Sequence, residues 1–296
     1  MNFNFFPNYK NRTKALEDIC KKYPFVRHKI IGHSLCERPI DMLLLGNQQS
    51  SVLFACAFHG MEWLTTLLLL RFFNDCCDSV ENKTKIKGYS MFNFLKNKGI
   101  ALIPCVNPDG VEISLCGSLT SGKYKSLVTS VCKNTAKWQA NARGVDLNHN
   151  FDAGWQALKK AEIKSGIVSP SPTRYGGEKP FSEPETICLA ELCEKSCFRH
   201  AVAFHSQGRE IYCDFGKSTP QKSFKMAQLM SKVSGYKVAQ PQGLAVGGGF
   251  KDWFIENFER PAFTVEVGLG KNPLPISMLD SEYEKILEML CLLAVM

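Results

Sequence analysis

The stretch Ala57-Phe58-His59-Gly60-Met61-Glu62-Trp63 places an imidazole and a carboxylate three residues apart. The apolar run SVLFACAF (51–58) leads into it, and a helix-like apolar run, 62–73, follows. The pair therefore lies where a buried strand is predicted to end and a helix to begin. Two side chains in such a place can hold a metal ion, provided that other parts of the chain supply a third ligand and a base.

Apolar strand patterns alternate with helical patterns along the 296 residues. Strands are predicted at 26–31, 40–45, 51–58, 100–106, 200–204, 211–215 and 262–267. Helices are predicted at 13–22, 62–73, 183–195, 221–234, 250–257 and 282–293. This order is typical of an α/β fold with a mixed, largely parallel sheet flanked by helices. No linker composition divides the chain, so we expect a single domain over 1–296 that includes residues 1–50, with 165–179 as a long surface loop.

Three of the apolar strands lead to residues that bind metals or move protons. SVLFACAF precedes His59, HAVAF (200–204) precedes His205, and AFTV (262–265) leads to Glu266. A lone histidine is usually a satisfied core residue, but two at strand ends are harder to explain in that way. Because ligands of α/β folds bind beyond the carboxyl ends of strands, these side chains are expected at one edge of the sheet.

The composition of the chain limits the classes of partner that the protein is expected to bind. The net charge of +8 comes from scattered lysines and arginines, so a nucleic-acid surface is not expected. No apolar run is long enough to span a bilayer, and the start of the chain lacks the pattern of a secretory signal. Thirteen cysteines occur without a C-x-x-C pair, and several lie in apolar runs. We therefore expect free thiols, a cytoplasmic location and no membrane partner; the oligomeric state stays open.

The chain resembles the zinc carboxypeptidase (M14) family over nearly its whole length. HGMEW looks like the family's His-x-x-Glu motif, which is a weak signal alone. Five further motifs follow in the family's order: NPDG (107–110), RGVDLNHNF (143–151), FSEPET (181–186), FHS (204–206) and FTVEVG (263–268).

The resemblance implies a Zn²⁺ site with His59, Glu62 and His205 as ligands. It also implies that Asp146 holds the second ring nitrogen of His59 and that Glu266 is the catalytic acid/base. Ser206 and the glutamine after it match a pair that carries a cis peptide at the wall of the family's site.

Departures from the family pattern concern the substrate. Family carboxypeptidases anchor a terminal carboxylate with an Asn-Arg pair, whereas this chain has Asn148 followed by His149. An imidazole cannot present the bidentate fork of a guanidinium. Gln139 stands where the family has an arginine that stabilises the oxyanion, and either Lys137 or Arg143 can substitute for it.

Two further positions near the substrate also differ from the family pattern. Leu244 aligns with a mobile tyrosine of the family. Lys251 occupies a position that often sets side-chain specificity, where it would favour an acidic group if it is not a solvated surface lysine.

The segment ANARGVDLNHNFDAGW (140–155) looks most like the bacterial branch that cuts γ-D-glutamyl–diaminopimelate bonds. The expected partner is thus a peptide or muropeptide substrate. Three alternatives remain: a metallocarboxypeptidase of ordinary peptides, a zinc amidohydrolase of N-acyl amino acids, and an inert zinc-containing module that binds peptides. NPDG and FSEPET argue against the amidohydrolase, and the presence of Glu266 argues against the inert module.

Overall fold

A computed structural model describes residues 1–296 and shows an eight-stranded mixed sheet flanked by helices, which confirms the predicted fold class. The strands are β1 Arg27–His33, β2 Pro39–Gly46, β3 Ser51–Cys56, β4 Gly99–Ile103, β5 His200–His205, β6 Glu210–Tyr212, β7 Lys237–Val238 and β8 Ala262–Glu266. Their spatial order is β1-β2-β4-β3-β5-β8-β6-β7. The centre of the sheet, β4-β3-β5-β8, is parallel, while β2 pairs antiparallel with β1 and β4, and β6 pairs antiparallel with β8.

The helices are α1 Tyr9–Lys22, α2 Leu64–Asn82, α3 Met91–Phe94, α4 Pro108–Cys116, α5 Lys125–Val131, α6 Trp155–Lys164, α7 Pro184–Glu194, α8 Gln221–Ser234, α9 Phe250–Phe258 and α10 Leu279–Val295. Helices α1, α2, α8 and α10 cover one face of the sheet, and α7 and α9 cover the other. Successive strand residues point to opposite faces, so Phe54 joins the first core and Leu53 and Ala55 the second. This is why the central strands are continuously apolar. None of the helices has the length and apolar character that crossing a bilayer requires.

Several boundaries differ from the sequence prediction. Helix α1 begins earlier than expected, because the Asn8 side chain caps it by accepting from the amide of Asn11. The polar stretch before Asn150 contains helices α4 and α5, and α6 was not predicted at all. The segment NPDG, whose asparagine, proline and glycine are typical of a turn after the apolar run 100–106, is instead a helix start: Asn107 caps α4, and Pro108 occupies its first turn, where a missing amide hydrogen costs nothing.

Candidate metal centre and active site

The stretch around His59 is fixed by its contacts with α4. After β3 ends, Asn107 donates from its side-chain amide to the carbonyl of Phe58 at 2.9 Å. Gly60 packs so closely on Gly110 that an added Cβ would lie 2.2 Å from its carbonyl oxygen. Only glycine allows this approach. Two distant motifs, HGMEW and NPDG, therefore hold His59 at the edge of the sheet.

His59, Glu62 and His205 form a compact group. One potential ligand atom from each lies within 4.8 Å of the others. Glu62 lies between the rings, with its Oε1 2.9 Å from His59 Nδ1 and its Oε2 3.0 Å from His205 Nδ1. The two Nδ1 atoms are 3.3 Å apart. Tetrahedral ligands at the usual zinc–nitrogen distance are also about 3.3 Å apart, so the donor set fits Zn²⁺.

The outer nitrogens of the two rings differ. His59 Nε2 donates to Asp146 Oδ1 at 3.0 Å, an arrangement that orients a ligating ring and keeps Nδ1 free for a metal. Asp146 Oδ2 accepts from the amide of Arg174. Burial would raise the pKa of Asp146, but the histidines nearby and these hydrogen bonds hold it well below its usual range. His205 Nε2 is buried with no hydrogen-bond partner, and its ring stacks on Phe58.

Glu266 is the third acidic group of this region. It follows the last apolar residue of β8 and lies opposite His205 in the strand register. Burial raises the pKa of its carboxyl group, and the nearby Glu62 carboxylate raises it further. The pKa of His59 is also raised, because Glu62 and Asp146 outweigh the opposing effect of burial. Negative charge is thus in excess here, and a divalent cation would relieve it.

A cavity opens beside this group. It is lined by His59, Asn148, His149, His205, Tyr212, Pro241, Ala245, Gly249, Lys251, Asp252, Thr264 and Glu266. His59, His205 and Glu266 lie at or just after strand ends, as predicted, while Asn148 and His149 come from a 3-10 turn and other lining residues come from the loop 241–249 and the start of α9.

The family of the chain follows from its sequence similarity to known proteins. The model of the zinc carboxypeptidase family matches residues 13–289. The chain belongs to the zinc carboxypeptidase family. It is accordingly a metallopeptidase, and the cofactor of the family is Zn²⁺.

Individual relatives agree with this assignment. The chain is 37% identical to γ-D-glutamyl-L-diamino acid endopeptidase 1 of Lysinibacillus sphaericus, over 95% of this chain and 70% of that protein. The fold is similar to that of thrombin-activatable fibrinolysis inhibitor, with a TM-score of 0.78 and 20% identity over 99% of this chain and 74% of that one. It is also similar to murein-tripeptide amidase MpaA of Escherichia coli O157, with a TM-score of 0.56 and 20% identity over 90% and 91%.

Asn148 and His149 both line the cavity. Asn148 accepts from the amide of Phe250 with its Oδ1, which leaves its side-chain NH₂ available. His149 is bound through Nδ1 to Glu162, so Nε2 is the ring nitrogen available on the cavity side.

Lys251 is buried, at 5% exposure, and is not a solvated surface lysine. Its Nζ donates to the carbonyl of Asp214 at 2.6 Å and to Asp252 Oδ1. An ammonium group has three N–H donors, so one is left for a ligand in the cavity that Lys251 lines.

Four predicted substrate residues do not line this cavity. Arg143 donates to Glu183 and to the carbonyl of Ser182, and it lines a separate cavity instead. The Gln139 side chain accepts from Thr173. Leu244 is half-buried next to the lining residue Ala245. Ser206 donates to Asn272 at 2.8 Å, and its peptide bond to the next residue is cis, as the resemblance implies.

Three relevant residues were missed by the sequence analysis. Tyr212 and Asp252 line the cavity, and Glu162 holds His149 from behind. Tyr212 belongs to the short antiparallel strand β6. The only sequence signal there was the alternation of side chains between the two faces of the sheet. Glu162 was missed together with its helix, α6. The available signal was the glycine directly before Trp155, the first residue of α6. Gly154 has a φ of 61°, a left-handed conformation that favours glycine, at the start of this helix.

Proposed function

We propose that this protein hydrolyses the bond between a γ-D-glutamyl residue and a diamino acid in cell-wall peptides. The observation that carries the proposal is the cavity beside His59 and His205, in which His149 stands where a carboxypeptidase would use an arginine anchor and Lys251 occupies the position that often sets side-chain specificity. The similarity to an endopeptidase named for γ-D-glutamyl-L-diamino acid bonds supports the same substrate class.

The proposed zinc ligands are His59, Glu62 and His205. A zinc ion held there would supply a Lewis acid that polarises the scissile carbonyl and acidifies water. Asp146 would keep His59 in the tautomer that ligates through Nδ1. Glu266 would take a proton from the attacking water and deliver it to the leaving amine.

The substrate's carboxylates would meet separate, single-point donors. The NH₂ group of Asn148, Nε2 of His149 and the third N–H of Lys251 all belong to residues of one cavity. A γ-linked peptide carries several carboxylates at spacings that differ from those of an α-linked C-terminus. Dispersed donors suit that pattern better than one bidentate fork.

The purified, zinc-loaded protein is expected to release the diamino acid from L-Ala-γ-D-Glu-meso-diaminopimelate, as detected by mass spectrometry of the products. An α-linked tripeptide of the same composition is the matched control and is expected to react much more slowly. Turnover of ordinary peptides without cleavage of the γ-linked substrate would instead establish a carboxypeptidase of ordinary peptides.

Replacing Lys251 with methionine is expected to reduce the preference for an acidic substrate. We expect the kcat/KM ratio between the free-acid tripeptide and its amidated analogue to fall about tenfold, the loss of one charge-assisted hydrogen bond. Each ratio is measured within one enzyme preparation, so a change in the fraction of folded protein cancels. An unchanged ratio would show that Lys251 only neutralises Asp252.

We also propose a reducing compartment, the cytoplasm, for this protein. All thirteen cysteines are free, and seven of them, Cys56, Cys76, Cys77, Cys105, Cys193, Cys213 and Cys291, are buried. Free thiols in this number are typical of reducing compartments, where disulfide bonds rarely form. Fractionation of the source cells would test the location.

A further inference from the structure

Glu162, on α6, lies behind the cavity wall and is fully buried. Its Oε1 accepts from His149 Nδ1 at 2.9 Å and from the amide of Gly176 at 3.1 Å. Its Oε2 accepts from Lys159 Nζ at 3.1 Å. The carboxylate is therefore held by three donors and cannot turn without losing one of them. The mechanism proposed above uses neither Glu162 nor Lys159.

The contact determines which edge of His149 faces the substrate. An ionised carboxylate only accepts hydrogen bonds, so the proton of this contact lies on Nδ1 of the imidazole. The ring cannot flip without losing the bond, and Nε2 is consequently kept for the cavity that His149 lines. An arginine at this position would need no such support, because its guanidinium donates from every nitrogen.

We propose that Glu162 is a positioning residue for substrate recognition: it keeps a proton on Nδ1 of His149 and fixes the orientation of the ring, so that Nε2 faces a substrate carboxylate and, in the doubly protonated imidazolium, donates to it. Lys159 balances the charge of Glu162 and holds it in place, with its Nζ also donating to the carbonyl of Gly177 at 2.8 Å. The inference rests on the proposed function, because it assigns His149 to the substrate.

A structural role for Glu162 would leave a different signature. Gly176 belongs to the segment that also supports Asp146, since the amide of Asp146 donates to the carbonyl of Tyr175 and the amide of Arg174 donates to Asp146. If Glu162 merely holds this segment, its loss would disturb Asp146 and hence zinc binding. If it positions His149, its loss would affect KM and leave zinc affinity unchanged.

The central variant is K159M/E162L, which removes the acceptor without leaving an unpaired buried charge. For the γ-linked tripeptide we expect KM to rise about tenfold with kcat nearly unchanged, as for a contact made equally in ground and transition states. K160M, which replaces an exposed lysine of the same helix, is the matched control and is expected to keep the wild-type KM. K159M/E162Q should restore most of the KM, because a glutamine carbonyl can still accept from Nδ1–H. In an H149A background, K159M/E162L should not raise KM any further.

Nitrogen-15 NMR of the histidine rings gives a readout that does not depend on turnover. We expect His149, assigned by comparison with H149A, to carry a proton on Nδ1 in the wild type and in K160M, and to lose that preference in K159M/E162L. A His149 protonated only on Nε2 in the wild type would overturn the inference, as would weakened zinc binding with KM effects that add to those of H149A. If the γ-linked substrate is not cleaved while the NMR result holds, the proposed substrate is wrong and the positioning of His149 stands.

Discussion

Replacing Glu266 with glutamine is expected to lower kcat by about 10³-fold, within the range that general acid–base catalysis contributes. Glutamine keeps the size of the side chain but cannot take up or release the proton. The zinc content of the purified protein should not change, because Glu266 is not one of the three side chains that come together at the metal group. The two measurements are steady-state kinetics on the γ-linked tripeptide and metal analysis of the same sample.

Glu194→Gln provides a matched control for this experiment. Glu194 is an exposed carboxylate on α7, and its replacement should leave both kcat and zinc content at their wild-type values. Activity that survives in E266Q would mean that another group is the base. Loss of zinc in E266Q would mean that Glu266 contributes to the metal site and not only to proton transfer.

Replacing Glu62 with glutamine is expected to weaken zinc binding by at least about 100-fold, the upper end of what loss of an outer-shell partner costs. Glu62 is the only anionic member of the group of three and lies between both rings, so its charge offsets the desolvation of a bound cation. Affinity is measured by competition with a chelator. Zinc should also raise the melting temperature of E62Q less than that of the wild type at equal concentration.

Glu185→Gln is the corresponding buried control. Burial raises the pKa of Glu185 to about 8, so this carboxyl group is largely protonated near neutral pH and glutamine mimics it. We expect E185Q to fold and to bind zinc as the wild type does. Undiminished zinc affinity in E62Q would remove Glu62 from the ligand set and with it the proposed metal centre.

Much of the fold followed from local sequence patterns. The central strands are buried on both faces, so each appears as a continuous apolar run whose length and end are visible without neighbours. The positions of His59, His205 and Glu266 at one edge followed as well, because parallel neighbouring strands bring their carboxyl ends together. The first residues of the helices were harder to predict from the sequence than the strands. Asn8 and Asn107 act as caps, but an asparagine followed by apolar residues also occurs in turns.

The substrate side of the cavity depended on tertiary contacts. Sequence showed that His149 and Lys251 replace expected residues, but not what lies against them. Lys251 turned out to be paired with Asp252, and Arg143, a candidate for the oxyanion, turned out to be held by Glu183 at another cavity. The hydrogen-bond donors that a side chain can offer to a substrate depend on the partners it already has. In this cavity the partner of His149 is Glu162, which comes from a separate helix, α6.

The sequence alone therefore predicted seven of the eight strands, the three metal-type side chains and the family, because each depends on a short segment with its own pattern. Only the tertiary structure decided which polar groups are free to meet a substrate. A buried cation or imidazole has few donors, and some of the hydrogen bonds that occupy them come from other segments of the chain, such as Glu162 for His149 and Asp214 for Lys251. The stretch from His59 to Glu62 indicates where zinc would be held, and these longer-range contacts determine which substrate groups can be recognised beside it.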